Sequence, residues 1–259
     1  MSGHRSHLLT SWRTGLDLTT LTFLSNLPYY YLLQTFYTLH DEAVVPALLI
    51  DTIAVTIPFF LFRGTPSRSD KKLQKQSSRA VAYDYQILAL VTIFASAIYT
   101  LTVYTSFWTW LPVYMVEHFE GLRSVGKGRE SNLLLQVATS IPAGVAATAF
   151  LFIPAVSASN KLLKALDPIT EKAAFDTESA DLAQTIAYNL GFGSKGFSAR
   201  SHVLTKRTAV LAISSFINTF VRVFGTIEGT EIVGALGWSS LWAVASVLTS
   251  VAFGWVADE

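Results

Sequence analysis

The sequence has no cysteine and little charge: Asp, Glu, Lys and Arg together make up 14% of its 259 residues. The absence of cysteine excludes disulfides, thiolate nucleophiles and zinc sites built on cysteine. No P-loop, no H-E-x-x-H metal pattern and no serine-nucleophile elbow occurs in the chain. The sequence therefore predicts no catalytic residue, no metal ligand and no cofactor.

The charge that is present is nearly balanced, with a formal net charge of +1. Because proteins that bind nucleic acid carry a basic surface, nucleic acid is not an expected partner. Soluble domains carry roughly a quarter charged residues, well above the fraction found here. Apolar residues instead make up 51% of the chain, and the mean hydropathy is +0.41. Since the charges also crowd into a few polar stretches, the composition is typical of a protein solvated by lipid.

Long apolar stretches account for most of the chain. A helix needs about 20 mostly apolar residues to cross the hydrocarbon core of a bilayer, and six stretches qualify. They lie at about residues 18–37, 43–62, 87–114, 133–156, 208–226 and 232–256, of which the first and fifth are the least apolar. The predicted fold is an all-α, multi-pass transmembrane helix bundle. It is one domain with a lead-in at 1–17, a basic loop at 63–84 and a partly helical loop at 157–207.

The distribution of lysine and arginine predicts how these spans are oriented. Cytoplasmic loops carry an excess of both residues. The lead-in and the loop at 63–84 together hold eight cations, whereas the loop between the third and fourth spans holds three. The loop at 157–207 adds seven cations on the same side as the lead-in. Both termini are therefore predicted to be cytoplasmic.

The third span is longer than the hydrocarbon core is thick. Such a helix either tilts or bends, and proline is the usual cause of a sharp bend. We expect the helix to bend at Pro112 and to continue along the outer surface of the membrane.

Two charged residues lie inside predicted spans, and they are the strongest candidates for a functional site. Asp51 falls near the middle of the second span, where a carboxylate costs roughly 2.5–3.5 kcal/mol on insertion scales. Arg222 in the fifth span is the only basic residue at comparable depth, and Asn218 lies one turn away from it. We expect Asp51 to face the bundle and to pair with Arg222, with Asn218 as a second partner. A structural pair, a proton or cation relay and a catalytic acid or base are three interpretations of Asp51.

Basic clusters lie within two of the predicted inner loops. Clusters of this kind bind anionic lipid at a cytoplasmic membrane face, or they simply fix the topology. The candidate lipid contacts are Lys71, Lys72, Lys75, Lys195, Arg200, Lys206 and Arg207.

Small residues recur at helical spacing in two of the spans. Ser140, Gly144 and Thr148 follow one another in the fourth span, and Gly237 and Ser240 do so in the sixth. Small residues let helix backbones approach closely in a membrane. These faces therefore predict helix packing, within the bundle or with helices of other membrane proteins.

Two further patterns occur in the sequence. The segment at 191–196 reads Gly-Phe-Gly-Ser-Lys-Gly and matches the dinucleotide pattern G-x-G-x-x-G. That pattern requires a preceding strand, whereas a helix is predicted here, so a nucleotide site is rejected. On the outer side His118 lies among carboxylates, a combination that can transfer protons.

Three classes of function follow from these observations. The favoured class is a non-enzymatic membrane component, such as a scaffold or a complex subunit, because the sequence has packing faces and no recognisable chemistry. The alternatives are a small-solute or ion transporter that uses Asp51, and a membrane-embedded lipid-modifying enzyme that uses His118. The expected partners are the lipid bilayer, including anionic lipid at the cytoplasmic face, and other membrane helices.

Overall fold

The structure is a computed structural model that describes residues 3–61, 85–126, 133–157, 192–193, 196–197 and 199–256. Its elements, in chain order, are α1 (Gly3–Thr35), α2 (Asp41–Leu61), α3 (Tyr85–Trp108), α4 (Leu111–His118), α5 (Leu133–Thr139), α6 (Ile141–Ala147), a π-helical turn (Thr148–Phe152), β1 (Phe192–Gly193), β2 (Gly196–Phe197), α7 (Ala199–Thr226) and α8 (Ile232–Val256). Apart from connecting turns, the described residues are helical except for the two-residue strands, which pair in antiparallel fashion. The predicted all-α class is confirmed.

The described helices form six passes between two ends of this part of the chain. α1, α3 and α7 run toward the end where residues 36–40, 119–126 and 227–231 meet, termed here the cap end. At this end the backbone N–H of Arg123 donates to the carbonyl of Phe36 at 3.0 Å, and that of Glu120 to the carbonyl of Gly229 at 3.1 Å. α2, the helical segment at 133–157 and α8 run back toward the opposite end, termed the base end.

Four of the described helices are long and apolar enough to cross a membrane, and these are Asp41–Phe59, Tyr85–Trp108, Arg200–Thr226 and Ile232–Val256. Two of the six predicted spans do not reach this standard. α1 is long enough, but it is not apolar enough to be counted with the four. The fourth predicted span is interrupted at Ser140, which leaves the shorter apolar helix Ile141–Ser157.

Proline explains two of the helix boundaries. α3 stops at Trp108, and α4 starts at Leu111 with Pro112 in its first turn, so the third predicted span is interrupted just before this proline. Pro142 likewise lies in the first turn of α6, directly after the break at Ser140. Because proline has no N–H and its ring clashes with the preceding turn, each helix restarts there instead of continuing.

Two helices extend beyond the starts of the predicted spans. α1 starts at Gly3 instead of near residue 18, and α7 starts at Ala199 instead of near residue 208. Residues 62–84, and most of the loop predicted at 157–207, lie outside the described residues. In the dinucleotide-like segment Phe192 pairs with Phe197 across the short hairpin.

α1 lies at the centre of the bundle. It packs against α2, α6, α7 and the π-helical turn, and its Leu32 and Phe36 are fully buried. The Phe36 ring stacks on Phe107 with centroids 5.4 Å apart and meets Trp238 edge-on at 5.8 Å. Trp238 is also fully buried, and its Nε1 donates a hydrogen bond of 3.1 Å to the carbonyl of Pro28 in α1. The core is therefore built around α1.

Most of the small residues singled out in the sequence pack within the chain. A β-carbon at Gly144 would overlap the Ser96 hydroxyl of α3, so α3 and α6 are in close contact there. Ser140 Oγ donates a hydrogen bond of 3.2 Å to the carbonyl of Ser96. In α8, Gly237 lies against the ring of Tyr114. Ser240, the other small residue named in α8, is exposed.

Candidate functional site

Asp51 and Arg222, the two charged residues singled out from the sequence, lie in direct contact. Arg222 Nη1 is 2.6 Å from Asp51 Oδ2, and the Tyr30 hydroxyl donates a hydrogen bond of 2.7 Å to the same oxygen. Asp51 lies in the middle of α2, Arg222 one turn before the end of α7 and Tyr30 near the end of α1. The contact therefore joins three helices. The arginine and aspartate side chains are 30% and 29% exposed, which places the pair at the edge of the bundle.

Aromatic rings of α1 lie against the guanidinium group of Arg222. Its central carbon is 5.5 Å from the ring centroid of Tyr29 and 5.9 Å from that of Tyr30. Thr226, one turn further along α7, donates a hydrogen bond of 3.1 Å to the Tyr29 hydroxyl. A cation over an aromatic face contributes about 0.5–1 kcal/mol at an exposed site and more when desolvated. Tyr29, Tyr30, Asp51, Arg222 and Thr226 are termed the charge cluster.

Asn218, expected as a second partner of Asp51, binds α1 instead. Its Nδ2 donates hydrogen bonds of 2.7 Å to Asn26 Oδ1 and of 2.8 Å to the carbonyl of Ser25. The physical reason is the position of α1, against which both α2 and α7 pack. A residue of α7 that points toward α1 therefore reaches Asn26. Since Asn26 is only 4% exposed, its amide needs this partner.

A second arginine–aspartate pair, which the sequence did not predict, joins α7 to α1 near the base end. Arg207 Nη2 and Nη1 lie 2.6 Å and 3.0 Å from the two carboxylate oxygens of Asp17. This is the bidentate geometry in which arginine binds a carboxylate most strongly. Asp17 lies in the predicted lead-in and Arg207 in the predicted loop at 157–207, so both fall just outside the predicted spans. An acidic and a basic residue beside the starts of two spans were the available signal.

Arg207 also completes the hydrogen bonding of the π-helical turn. Its Nη1 donates a hydrogen bond of 2.9 Å to the carbonyl of Phe150, and its guanidinium carbon is 5.0 Å from the centroid of that ring. In an α-helix this carbonyl would accept a hydrogen bond from residue 154, which is Pro154 and has no N–H. Membrane helices tolerate proline where a neighbouring group satisfies the freed carbonyl. Arg207 is that neighbour.

The structure describes three of the seven predicted lipid contacts. Lys71, Lys72, Lys75 and Lys195 lie outside the described residues. Arg200 is partly buried and has a partner within the protein, and Arg207 is bound to Asp17. Lys206 is exposed on α7. Among the described candidates, Lys206 is therefore the one best placed to reach a lipid head group.

His118, the candidate for chemistry on the predicted outer side, links α4 to the turn before α8. Its Nδ1 is 2.8 Å from Glu231 Oε2, and the backbone N–H of Glu231 donates a hydrogen bond of 3.1 Å to the His118 carbonyl. The imidazole also meets the Tyr114 ring edge-on, with centroids 4.6 Å apart. Within the described residues no group of three or more His, Cys, Asp or Glu side chains could hold a metal ion. These contacts hold α4 against the turn before α8.

The polar contacts of α7 follow one face of the helix. Arg207, Asn218 and Arg222 are separated by about three turns and about one turn. They bind Asp17, Asn26 and Asp51 respectively, and this line of contacts is termed the polar seam. Such contacts fix the positions of α1 and α2 on α7, because an unmatched charge or amide in an apolar bundle is strongly unfavourable.

Comparison with known families gives one match. The family model described as the Bouquet formation protein 3 C-terminal domain matches residues 84–256. No curated protein and no solved structure matches the chain. The matched segment runs from the start of α3 to the end of α8, and α1 and α2 lie outside it. Each contact of the polar seam thus joins a residue outside the matched segment to a residue of α7 within it.

Proposed function

We propose that this chain, which belongs to the Bouquet formation protein 3 C-terminal domain family, is a non-enzymatic, multi-pass integral membrane protein that serves bouquet formation as a scaffold or complex subunit. The polar seam carries the proposal. The charged and amide side chains that transport or catalysis would use are bound to one another across helix contacts. The family description supplies the process, and the four apolar helices support association with a membrane.

Six membrane crossings with cytoplasmic termini are part of the proposal. The six helical passes alternate in direction between the base end and the cap end. Polarity does not prevent α1 from crossing, because its Asp17 and Asn26 are bound by α7. The segments predicted to lie at the base end hold most of the lysine and arginine, which supports a cytoplasmic base end.

Lipid is the partner proposed for the base end. Lys206 is exposed there, and a cation beside a cytoplasmic membrane face attracts anionic lipid by about 1 kcal/mol. The residues at 71, 72 and 75 belong to the basic loop that the sequence places at the same end.

A small-solute or ion transporter is the second candidate. The observation in its favour is that Asp51 and Arg222 keep about a third of their side-chain surface exposed, so that a small cation could reach the carboxylate. In that case Asp51→Asn should abolish flux in liposomes while the fold persists. If the protein is a scaffold, by contrast, even the wild-type protein should show no flux.

The absence of cysteine gives a direct test of the crossings, because one introduced cysteine is the only thiol of the protein. His40→Cys, Glu117→Cys and Glu228→Cys place it at the cap end, and Lys206→Cys and Trp255→Cys place it near the base end. In sealed, oriented vesicles a membrane-impermeant maleimide should label the two sets from opposite sides. Labelling of Lys206→Cys and Glu228→Cys from one side would contradict a crossing by α7.

The non-enzymatic role is tested by bouquet formation scored in cells. Asp51→Asn and Arg222→Gln should each lower the amount of protein, since each leaves a partner unpaired. The double variant removes both charges and should support bouquet formation better than either single variant. A double variant that is present at normal levels but inactive would show that Asp51 has a chemical role.

A further inference from the structure

We propose that a groove at the cap end binds a phospholipid with an ethanolamine head group. The groove has a volume of about 530 Å³ and lies between the end of α1, the loop at 119–126 and the turn that joins α7 to α8. Of the charge cluster only Thr226 lines it, and the proposal does not depend on a role in bouquet formation.

The rim of the groove carries charges of both signs. Glu120 and Glu228 contribute carboxylates and Arg123 contributes a guanidinium group, and all three residues are exposed. A guanidinium group binds phosphate oxygens in a bidentate manner, and carboxylates bind an ammonium group. A zwitterionic head group therefore satisfies both halves of the rim, whereas a simple anion or cation would be repelled by one half.

The wall of the groove is apolar below this rim. Leu33, Leu39 and Ile227 line it beside the ring of Tyr37. The Tyr37 hydroxyl donates a hydrogen bond of 3.2 Å to the carbonyl of Glu120, which fixes the ring against the rim. The groove lies where α7 ends and where α2 and α8 begin, and these are three of the four apolar helices. At this level a membrane lipid changes from acyl chain to head group.

The backbone around the groove is held in place before any ligand binds. The N–H groups of Arg123 and Ser124 both donate to the carbonyl of Phe36, at 3.0 and 3.1 Å. Gly229 has a φ of +74°, and a β-carbon at this position would overlap the Glu120 side chain. Glycine therefore allows the two turns to meet, and a preformed site loses less entropy on binding.

The functional groups of the rim favour ethanolamine over choline. A primary ammonium has three N–H donors that carboxylates can accept, whereas a quaternary ammonium has none and is bound by cages of aromatic rings. The groove offers the two carboxylates and the ring of Tyr37. A serine head group would bring an additional carboxylate next to Glu120 and Glu228, which would repel it.

The test is native mass spectrometry of the full chain in detergent with phosphatidylethanolamine, phosphatidylcholine or phosphatidylserine of identical acyl chains. The ethanolamine lipid should bind about tenfold more tightly than the other two, the ratio expected for one charge-assisted hydrogen bond. Free phosphoethanolamine has the head group without the chains and should bind far more weakly. Binding of the free head group as tight as that of the lipid would overturn the lipid assignment.

Matched variants locate the site. Arg123→Gln and Glu228→Gln should each weaken the binding of phosphatidylethanolamine about tenfold. Glu117→Gln changes an exposed carboxylate of α4 outside the groove, and it should bind the lipid like the wild type. All three residues are exposed, so unchanged melting temperatures without lipid should confirm that the variants fold. Equal affinities for the ethanolamine and choline lipids, or full binding by both groove variants, would overturn the proposal.

Discussion

α1 and α2 differ both in hydropathy and in burial: α2 is the more apolar and the more exposed helix, whereas α1 is less apolar and more buried. α2 is one of the four helices apolar enough to cross a membrane, yet only 17% of its apolar window is buried. Its Ile50 is 65% exposed and its Leu49 48% exposed. α1 is not counted with those four helices, yet helices pack around it and its Leu32 and Phe36 are fully buried.

The difference shows what hydropathy measures in a helical bundle of this kind. A helix that faces lipid must be apolar over most of its circumference, because lipid offers no hydrogen-bond partners. A helix surrounded by other helices can carry polar side chains that its neighbours satisfy, as α7 does for Asp17 and Asn26. Hydropathy therefore identifies the exposed α2 and underestimates the central α1.

The largest expected effect contrasts two leucines of these helices. Leu32→Ala should lower the free energy of unfolding by about 2–4 kcal/mol, because it leaves a cavity in the core. Leu49→Ala should lower it by less than about 0.5 kcal/mol, because its side chain is 48% exposed. Unfolding of both variants in detergent micelles measures the two changes. Equal losses would break the comparison between α1 and α2.

The next largest effect is expected for Arg207→Gln, which should lower the free energy of unfolding by about 2 kcal/mol. The change leaves the Asp17 carboxylate and the Phe150 carbonyl without their donor. Because the arginine and aspartate side chains are each 23% exposed, the loss should be smaller than for a fully buried pair. Lys206→Gln, at the neighbouring exposed cation, is the control. If both variants are equally stable, Arg207 does not anchor α1 at the base end.

A smaller difference in stability is expected between variants of two amide side chains, Asn218 of α7 and Gln34 of α1. Asn218→Ala should lower the free energy of unfolding by about 1 kcal/mol, because it leaves the buried amide of Asn26 unpaired. Gln34→Ala removes an exposed hydrogen bond of 2.8 Å to Asp41 at the start of α2. Its loss should be under about 0.5 kcal/mol. The same unfolding experiment measures both, and a larger loss for Gln34→Ala would contradict the account.

The apolar stretches of the sequence predicted the helical class. Asp51 and Arg222 could be identified as well, because a charge within an apolar stretch is apparent in any hydropathy window. It did not reveal Tyr30. A tyrosine near a helix end is typical of membrane interfaces, and only the packing of α2 on α1 brings the hydroxyl to Asp51. Asp17 and Arg207 were missed for a related reason. Hydropathy ends a span at the first charge, whereas the helix continues because the two charges neutralise each other.

Proline positions show a similar limit. Pro28 and Pro58 lie inside the continuous helices α1 and α2, whereas Pro142 begins a new helix after the break at Ser140. Whether a helix continues past a proline depends on groups elsewhere that satisfy the freed carbonyl. Those groups come from other parts of the chain, so the sequence around the proline does not predict the outcome.

The most direct test of a structural role for the charge cluster is a double-mutant cycle on Asp51→Asn and Arg222→Gln, followed by unfolding in detergent. Each single change should destabilise the protein by about 1–2 kcal/mol, because a charge remains without its partner. The double variant should be no less stable than either single variant, which gives a coupling energy of about 1 kcal/mol or more. If Asp51→Asn instead leaves the stability unchanged or raises it, the carboxylate is not kept for packing, and the structural account of the cluster is contradicted.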